Sequence, residues 1–284
     1  MSYNNPLPGP GNQSANRPLP AYGGFQVMNA PSHSSYNSLQ ARLQHRFAYG
    51  FTILGSYAYG KSIDNGSGVR TTDGDPHTPS DNYNLAAERG LSAFDFRQRF
   101  TASFLYELPI GRSKQIDITN RFSNFLFGGW QIGGILTFQS GFPMTAYCGS
   151  GNIQNGGGYC KPDAIAGANP NLPSDERTIQ RFFNTAAYVD RLGQDPARIT
   201  TFRYGTAGRN TIIGPGIAGF DGSVNKKFAF NERHDIEFRL EMFNLPNHPI
   251  FANPGTTLRD PTYGVIGATR LDSRQIQLAL KYNF

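Results

Sequence analysis

The chain has 284 residues and a net charge of +6, and its 26 Lys and Arg are scattered without a basic run. That argues against a nucleic-acid footprint and for wetted strand faces and loops. Mean hydropathy is −0.44 and no run reaches the ~18–20 apolar residues of a membrane helix, but a barrel strand needs only ~9–11 residues with alternate ones apolar, so hydropathy does not exclude a membrane β-protein.

The 22 Phe, 14 Tyr, 33 Gly and 19 Pro suit strands joined by turns and long loops. Residues 1–35 are rich in Pro, Gly, Asn and Ser and predict a loop or arm; residues 36–284 carry the strands. The first strand is "YNSLQARLQHRF", with Leu39, Ala41, Leu43 and Phe47 opposite Gln40, Arg42, Gln44 and Arg46. After the turn "AYG", "FTILGSYAYG" aligns Phe51, Ile53, Tyr57 and Tyr59. A polar stretch over 61–93 leads to "RQRFTASFLYEL", with Phe100, Ala102, Phe104, Tyr106 and Leu108 opposite Arg97, Arg99, Thr101 and Ser103. "PIGRSKQ" turns the chain, "RFSNFLFGG" is a short helical link, and "WQIGGILTFQSG" aligns Trp130, Ile132, Leu136 and Phe138. Residues 140–217 are long and irregular. "FDGSVNKKFAF", the turn "NERH" and "DIEFRLEMF" follow, with Ile236, Phe238, Leu240 and Met242 opposite Glu237, Arg239 and Glu241. A further irregular stretch, 244–272, leads to "QIQLALKYNF", where Ile276, Leu278, Leu280, Tyr282 and Phe284 oppose Gln275, Gln277, Ala279, Lys281 and Asn283.

These seven strands predict an all-β antiparallel meander. Long structureless connections count against a compact water-soluble domain. Short periplasmic turns alternating with long external loops are the rule in an outer-membrane barrel. The alternation sends the first strand toward the periplasm and ends the seventh there. Charges in mid-strand (Arg42, Arg46, Arg97, Arg99, Glu237, Arg239, Glu241, Lys281) suit a wet lumen. Aromatics near strand ends (Tyr57, Tyr59, Tyr106, Trp130, Phe138, Phe230, Tyr282, Phe284) match interfacial girdles. Lys226 falls on the apolar face between Val224 and Phe228, where it marks a bulge or snorkels to the interface.

The start "MSYNNPLPGPGNQSANRPLP" has no basic segment followed by an apolar one. Either the protein stays inside the cell or Met1 is not the true beginning of the polypeptide. Cys148 and Cys160, in "CGSGNIQNGGGYC", have no zinc-ligand spacing. They are either two reduced loop thiols or a disulfide contributing roughly 3 kcal/mol in an oxidising compartment.

The stretches "YNSLQARLQHRFAYGFTILGSYAYGKSID", "ERGLSAFDFRQRFTASFLYELPIGR", "GGWQIGGILTFQSGFPMT", "AGRNTIIGPG", "RLEMFNLPNHPIFANPGTTL" and "SRQIQLALKYNF" resemble, in order, the C-terminal half of the barrel in Oar-like TonB-dependent receptors, which carry a carboxypeptidase-regulatory-like N-terminal domain. The resemblance covers nearly the whole chain. It implies an outer-membrane barrel of roughly 22 strands plugged by a globular domain and energised through the TonB protein. The leader, regulatory-like domain, TonB box, plug and earlier strands of that family have no match here, so the expectation is a C-terminal barrel fragment whose Met1 falls in an extracellular loop. Leu280, Tyr282 and Phe284 then resemble the C-terminal signal read by the barrel assembly machinery. The expected partners are outer-membrane lipid, TonB, that machinery and an unidentified extracellular ligand.

No catalytic constellation is evident. His33, His45, His77, His234 and His248 have no metal-ligand spacing, and nucleophile-elbow and P-loop motifs are lacking. Gly156, Gly157 and Gly158 lie outside any strand-to-helix context and read as a flexible tip. Glu237, Arg239 and Glu241 share a face and read as charge balance rather than a glycosidase pair. The expectation is neither enzyme, metal site nor cofactor. Three readings remain: part of an energised importer of a large or scarce nutrient, a structural or adhesive outer-membrane β-protein, and a soluble carbohydrate-binding β-domain.

Overall fold

The computed structural model describes residues 2–12, 14–26, 32–47, 50–68, 79–148, 160–189, 202–231 and 233–284. The predicted turn residues Ala48 and Tyr49, Glu232 of the second turn, His77 and the glycine tip at 156–158 lie outside them. The main sheet contains seven long strands: β1 (Ser34–Arg46), β2 (Phe51–Asp64), β3 (Gln98–Glu107), β4 (Trp130–Gln139), β5 (Ile217–Ala229), β6 (Asp235–Phe243) and β7 (Gln275–Asn283). They pair antiparallel in chain order, as the alternation predicts, and the two-residue strand Gly90–Leu91 adds to the end of β2.

Boundaries differ from the sequence reading in a few places. β1 begins at Ser34, two residues inside the expected arm. The arm itself pairs Ser2–Tyr3 with Phe25–Gln26. β2 runs four residues past Gly60, through a stretch expected to be loop. Its ladder with β1 continues to the partners Ser34 and Asp64. Arg97 lies one residue before β3, so it flanks the strand rather than occupying it.

The register carries one apolar row after another across the sheet. Ala41, Tyr57, Phe100 and Phe138 are successive cross-strand partners, as are Val224, Leu240 and Leu278. Such same-face pairs are the unit of sheet stabilisation. In the middle, the stacked rings of Phe104 and Phe220, 6.4 Å apart, close over Gly134. A Cβ there would lie 2.6 Å from Phe104, so only glycine leaves room for both rings.

This apolar face has no second sheet packed on it among the described residues. Leu39, Leu43, Ile276, Leu278 and Leu280 are 61–66% exposed. Large apolar side chains exposed in such number call for a partner or a membrane. β1 and β7 are the sheet's edges, and neither meets a further strand among the described residues. An unpaired edge on an apolar sheet invites association.

The buried core sits elsewhere, in the connections. Met144, Ala146, Phe183, Ala187, Tyr188, Ala207, Ile212 and Leu258 form one cluster. These residues come from the stretches expected to be irregular, 140–217 and 244–272. Three connections at one end of the sheet are long: 65–97, 140–216 and 244–274. At the other end, 47–50 and 230–234 are short, and 108–129 holds the helix α1 (Arg121–Phe127). Asn120 caps α1 by accepting from the Phe122 and Ser123 amides at 2.9 and 3.0 Å.

Lys226 is not at a bulge. The β5 ladders run without interruption through its partners Trp130 and Phe238. It sits near the short-turn end, its ammonium donating to the Gly128 carbonyl and lying 4.8 Å from the Phe228 ring centre. That is the snorkelling alternative: an apolar stem within the face and a cation satisfied at its margin.

Candidate functional site: a latched loop assembly over the polar face

The long-loop end is fastened to the polar face of the sheet at the end of β2. Asp64 and Arg209 form an ion pair, each side chain only 2% exposed. The Arg209 Nε also donates to the Glu88 carbonyl at 3.1 Å. Burial pulls the Arg209 guanidinium down to about 10, which still leaves it charged at neutral pH. Glu88 is equally enclosed: its Oε2 takes Lys161 at 2.5 Å and its Oε1 takes the Ser80 amide at 3.0 Å. Charges buried this completely persist only when paired and hydrogen-bonded.

Asn210 extends the latch. Its Nδ2 donates to the Leu91 carbonyl at 2.7 Å, and its Oδ1 accepts from the Thr145 hydroxyl at 2.9 Å. Its φ of 56° is the left-handed conformation that Asn tolerates better than most residues. Gly90 must be glycine, because a Cβ would lie 2.6 Å from the Arg209 carbonyl oxygen. Asp95 accepts the Ser62 amide at 2.6 Å, and the Ser62 and Ser92 hydroxyls share a hydrogen bond of 2.7 Å. The outer layer is tied by Arg203, whose guanidinium grips Asp163 at 2.9 and 3.1 Å. The Phe183 and Tyr263 rings meet edge to face at 5.2 Å, and burial pushes the Tyr263 phenol up. A cleft of about 550 Å³ opens beside the latch, lined among others by Arg89, Arg97, Ser140, Asn171 and Thr211.

Cys148 and Cys160 are joined by a disulfide, with their Cα atoms 5.4 Å apart. The Cys148 amide also donates to the Cys160 carbonyl at 3.0 Å. In protein purified from outer membranes the pair is expected to be oxidised. Mass spectrometry of non-reduced peptides should find residues 148 and 160 linked, and free thiols would refute the bond.

The other site residues fall as follows. The register puts Arg42, Arg46, Arg99, Glu237, Arg239, Glu241 and Lys281 on the polar face. Glu237 and Arg239 pair at 2.7 Å, and Glu237 is also the cross-strand partner of Lys281. Arg97 lies apart from these, at the long-loop end beside the cleft, 4.0 Å from Asp95. Leu280 and Tyr282 lie on the apolar face of β7, and Phe284 follows at the end of the chain. The Tyr282 hydroxyl shares a 2.7 Å hydrogen bond with His234, and Phe284 stacks on the Tyr282 ring at 5.8 Å. Asp64, Glu88, Lys161, Arg209 and Asn210 were not foreseen as a unit. Three of the strings that resemble the family, the one ending in "GKSID" and those beginning "ERGLSAF" and "AGRNT", contain four of them, but nothing in the strings marks the residues as partners.

Among the described residues, no group of three or more His, Cys, Asp or Glu could hold a metal ion. No helix is long and apolar enough to cross a membrane, which says nothing about strands.

A meander with one apolar face exposed, one charged face and an ordered loop assembly at one end defines the wall of a membrane β-barrel. A family model for the outer membrane beta barrel domain matches residues 1–277, and the chain belongs to that family. Its place is therefore the outer membrane. No curated protein and no solved structure shows detectable similarity to the chain.

Proposed function

We propose that this chain supplies wall and extracellular mouth to a TonB-dependent importer of a large or scarce nutrient, and has no catalytic role and no cofactor. The observation that carries the reading is the latched loop assembly. Its own hydrophobic core and buried ion pairs tie the described parts of the long loops to one another and to the end of β2. Loops held by a rigid scaffold are where proteins place ligand recognition. The ordered resemblance to Oar-like receptors supports the energised mechanism. On this reading, further strands pair with the open edges of β1 and β7, TonB engages a region outside these strands, and the assembly machinery reads Leu280, Tyr282 and Phe284.

Gln139 and Ile217 are cross-strand partners, so a short turn can replace the connection between them without disturbing β4 or β5. In the complete receptor, that replacement is expected to abolish growth on the imported saccharide, peptide or chelate while membrane insertion persists. Deleting TonB should abolish it as well. Undiminished growth without the loop removes the binding role, and undiminished growth without TonB removes the importer reading in favour of a structural or adhesive protein.

A further inference from the structure

At the short-turn end, α1 lies on the apolar face of the sheet. Phe125 packs on Phe228 and Phe230 with ring centres 5.3 and 5.6 Å apart. The Trp130 indole N–H donates to the Leu126 carbonyl at 3.1 Å. Yet Phe122 and Phe127 on the same helix remain 71% and 60% exposed. A cleft of about 1010 Å³ opens between the 108–129 connection and the end of β5, and its lining includes Arg112, Lys114, Arg121, Lys226 and Lys227.

The surrounding charges do not cancel. Glu107 takes Lys114 at 3.3 Å, and Asp235 takes Lys227 at 2.9 Å. Asp117 accepts the Ser113 amide at 2.8 Å. Lys226 donates to the Gly128 carbonyl. Arg112 and Arg121 are left exposed, with no carboxylate at salt-bridge distance among the described residues. The site thus joins the exposed aromatic rings of α1 to guanidinium groups with no carboxylate at salt-bridge distance among the described residues. That is the complement of an amphiphile with an anionic head. Short turns mark the periplasmic end of a barrel, and the leaflet there is phospholipid.

We propose that this cleft binds the phosphate headgroup of an anionic phospholipid, with its acyl chains lying along Phe122 and Phe127. The inference rests on the outer-membrane placement and not on TonB-driven import. Arg112 and Arg121 supply the charge-assisted hydrogen bonds, in which guanidinium suits phosphate geometry.

The test uses full-length protein extracted from outer membranes and reconstituted in nanodiscs of equal phosphatidylglycerol and phosphatidylethanolamine. Native mass spectrometry then reads the co-purifying lipid. The expected result is a roughly tenfold preference for phosphatidylglycerol, given the attraction of each near-surface cation for anionic lipid. The preference should fall toward parity in the double variant Arg112→Gln, Arg121→Gln. Equal retention of both lipids in the unaltered protein overturns the proposal, as does an unchanged preference in the variant. Displacement of the lipid by millimolar inorganic phosphate would also overturn it, since the site would then be a free-anion site. Both arginines are exposed, so the variant should insert normally; if it does not, the lipid ratio of the unaltered protein decides alone. Uptake that persists without TonB, with the lipid preference intact, would count against the import reading only.

Discussion

Replacing Arg209 with Met is expected to release the long-loop assembly while the sheet stays in the membrane. The guanidinium and its partner Asp64 are each 2% exposed, so the substitution leaves a carboxylate buried without its cation. Removing one member of such a pair costs roughly 3–5 kcal/mol, mostly from the stranded charge. The same change also deletes the bond from Nε to the Glu88 carbonyl and the weaker one to the Leu91 carbonyl. Asp64→Asn should be nearly as damaging, because it strands the guanidinium instead. The double variant should cost less than either single change, since the second substitution removes the charge that the first left unpaired. Protease added to intact cells should cut within 140–217 in both single variants, more slowly in the double variant, and hardly at all in the unaltered protein. Equal cleavage in all four would show that the ion pair does not fasten the loops.

That latch was the part of the molecule least visible in the sequence. The strands were legible because period-2 alternation needs only one residue and its second neighbour. β6 reads as Ile236, Phe238, Leu240 and Met242 against Glu237, Arg239 and Glu241, and the structure pairs it accordingly on both sides. The loop core has no period. Met144, Phe183, Ile212 and Leu258 converge from segments far apart in the chain, and the apolar residues around them recur at no regular spacing. The end of β2 was missed for a related reason. Asp64 is polar and lies in a stretch rich in turn formers, yet it belongs to the ladder because Arg209, 145 residues away, neutralises it. Sequence distance hides such a pair unless both halves are already under suspicion.

Lys226 shows the same limit within a strand. Alternation placed it on the apolar face and could not choose between a bulge and a snorkelling cation. What decides is the Gly128 carbonyl at the end of α1, contributed by a connection whose packing no local pattern encodes. The C-terminal strand is the opposite case. Its apolar row was plain from the sequence, and the structure adds the contacts of Tyr282 with His234 and Phe284.

The orientation of the sheet yields the sharpest contrast between two single substitutions. Leu240 lies in mid-strand on the apolar face, between its partners Val224 and Leu278. Gln277 lies on the opposite face and is the cross-strand partner of Glu241. If the apolar face meets lipid, Leu240→Arg places a cation near the bilayer midplane, at a cost of about 2–4 kcal/mol. Gln277→Arg places the same cation in water beside a carboxylate, where an exposed pair is worth about 0–1 kcal/mol in its favour. Full-length protein carrying Leu240→Arg should therefore unfold from lipid vesicles at clearly lower urea and accumulate less in the outer membrane. Gln277→Arg should match the unaltered protein in both measurements. Equal losses for the two would mean that both faces are packed against apolar surroundings, as in a sandwich. A loss confined to Gln277→Arg would mean that the charged face, not the apolar one, is turned toward the bilayer.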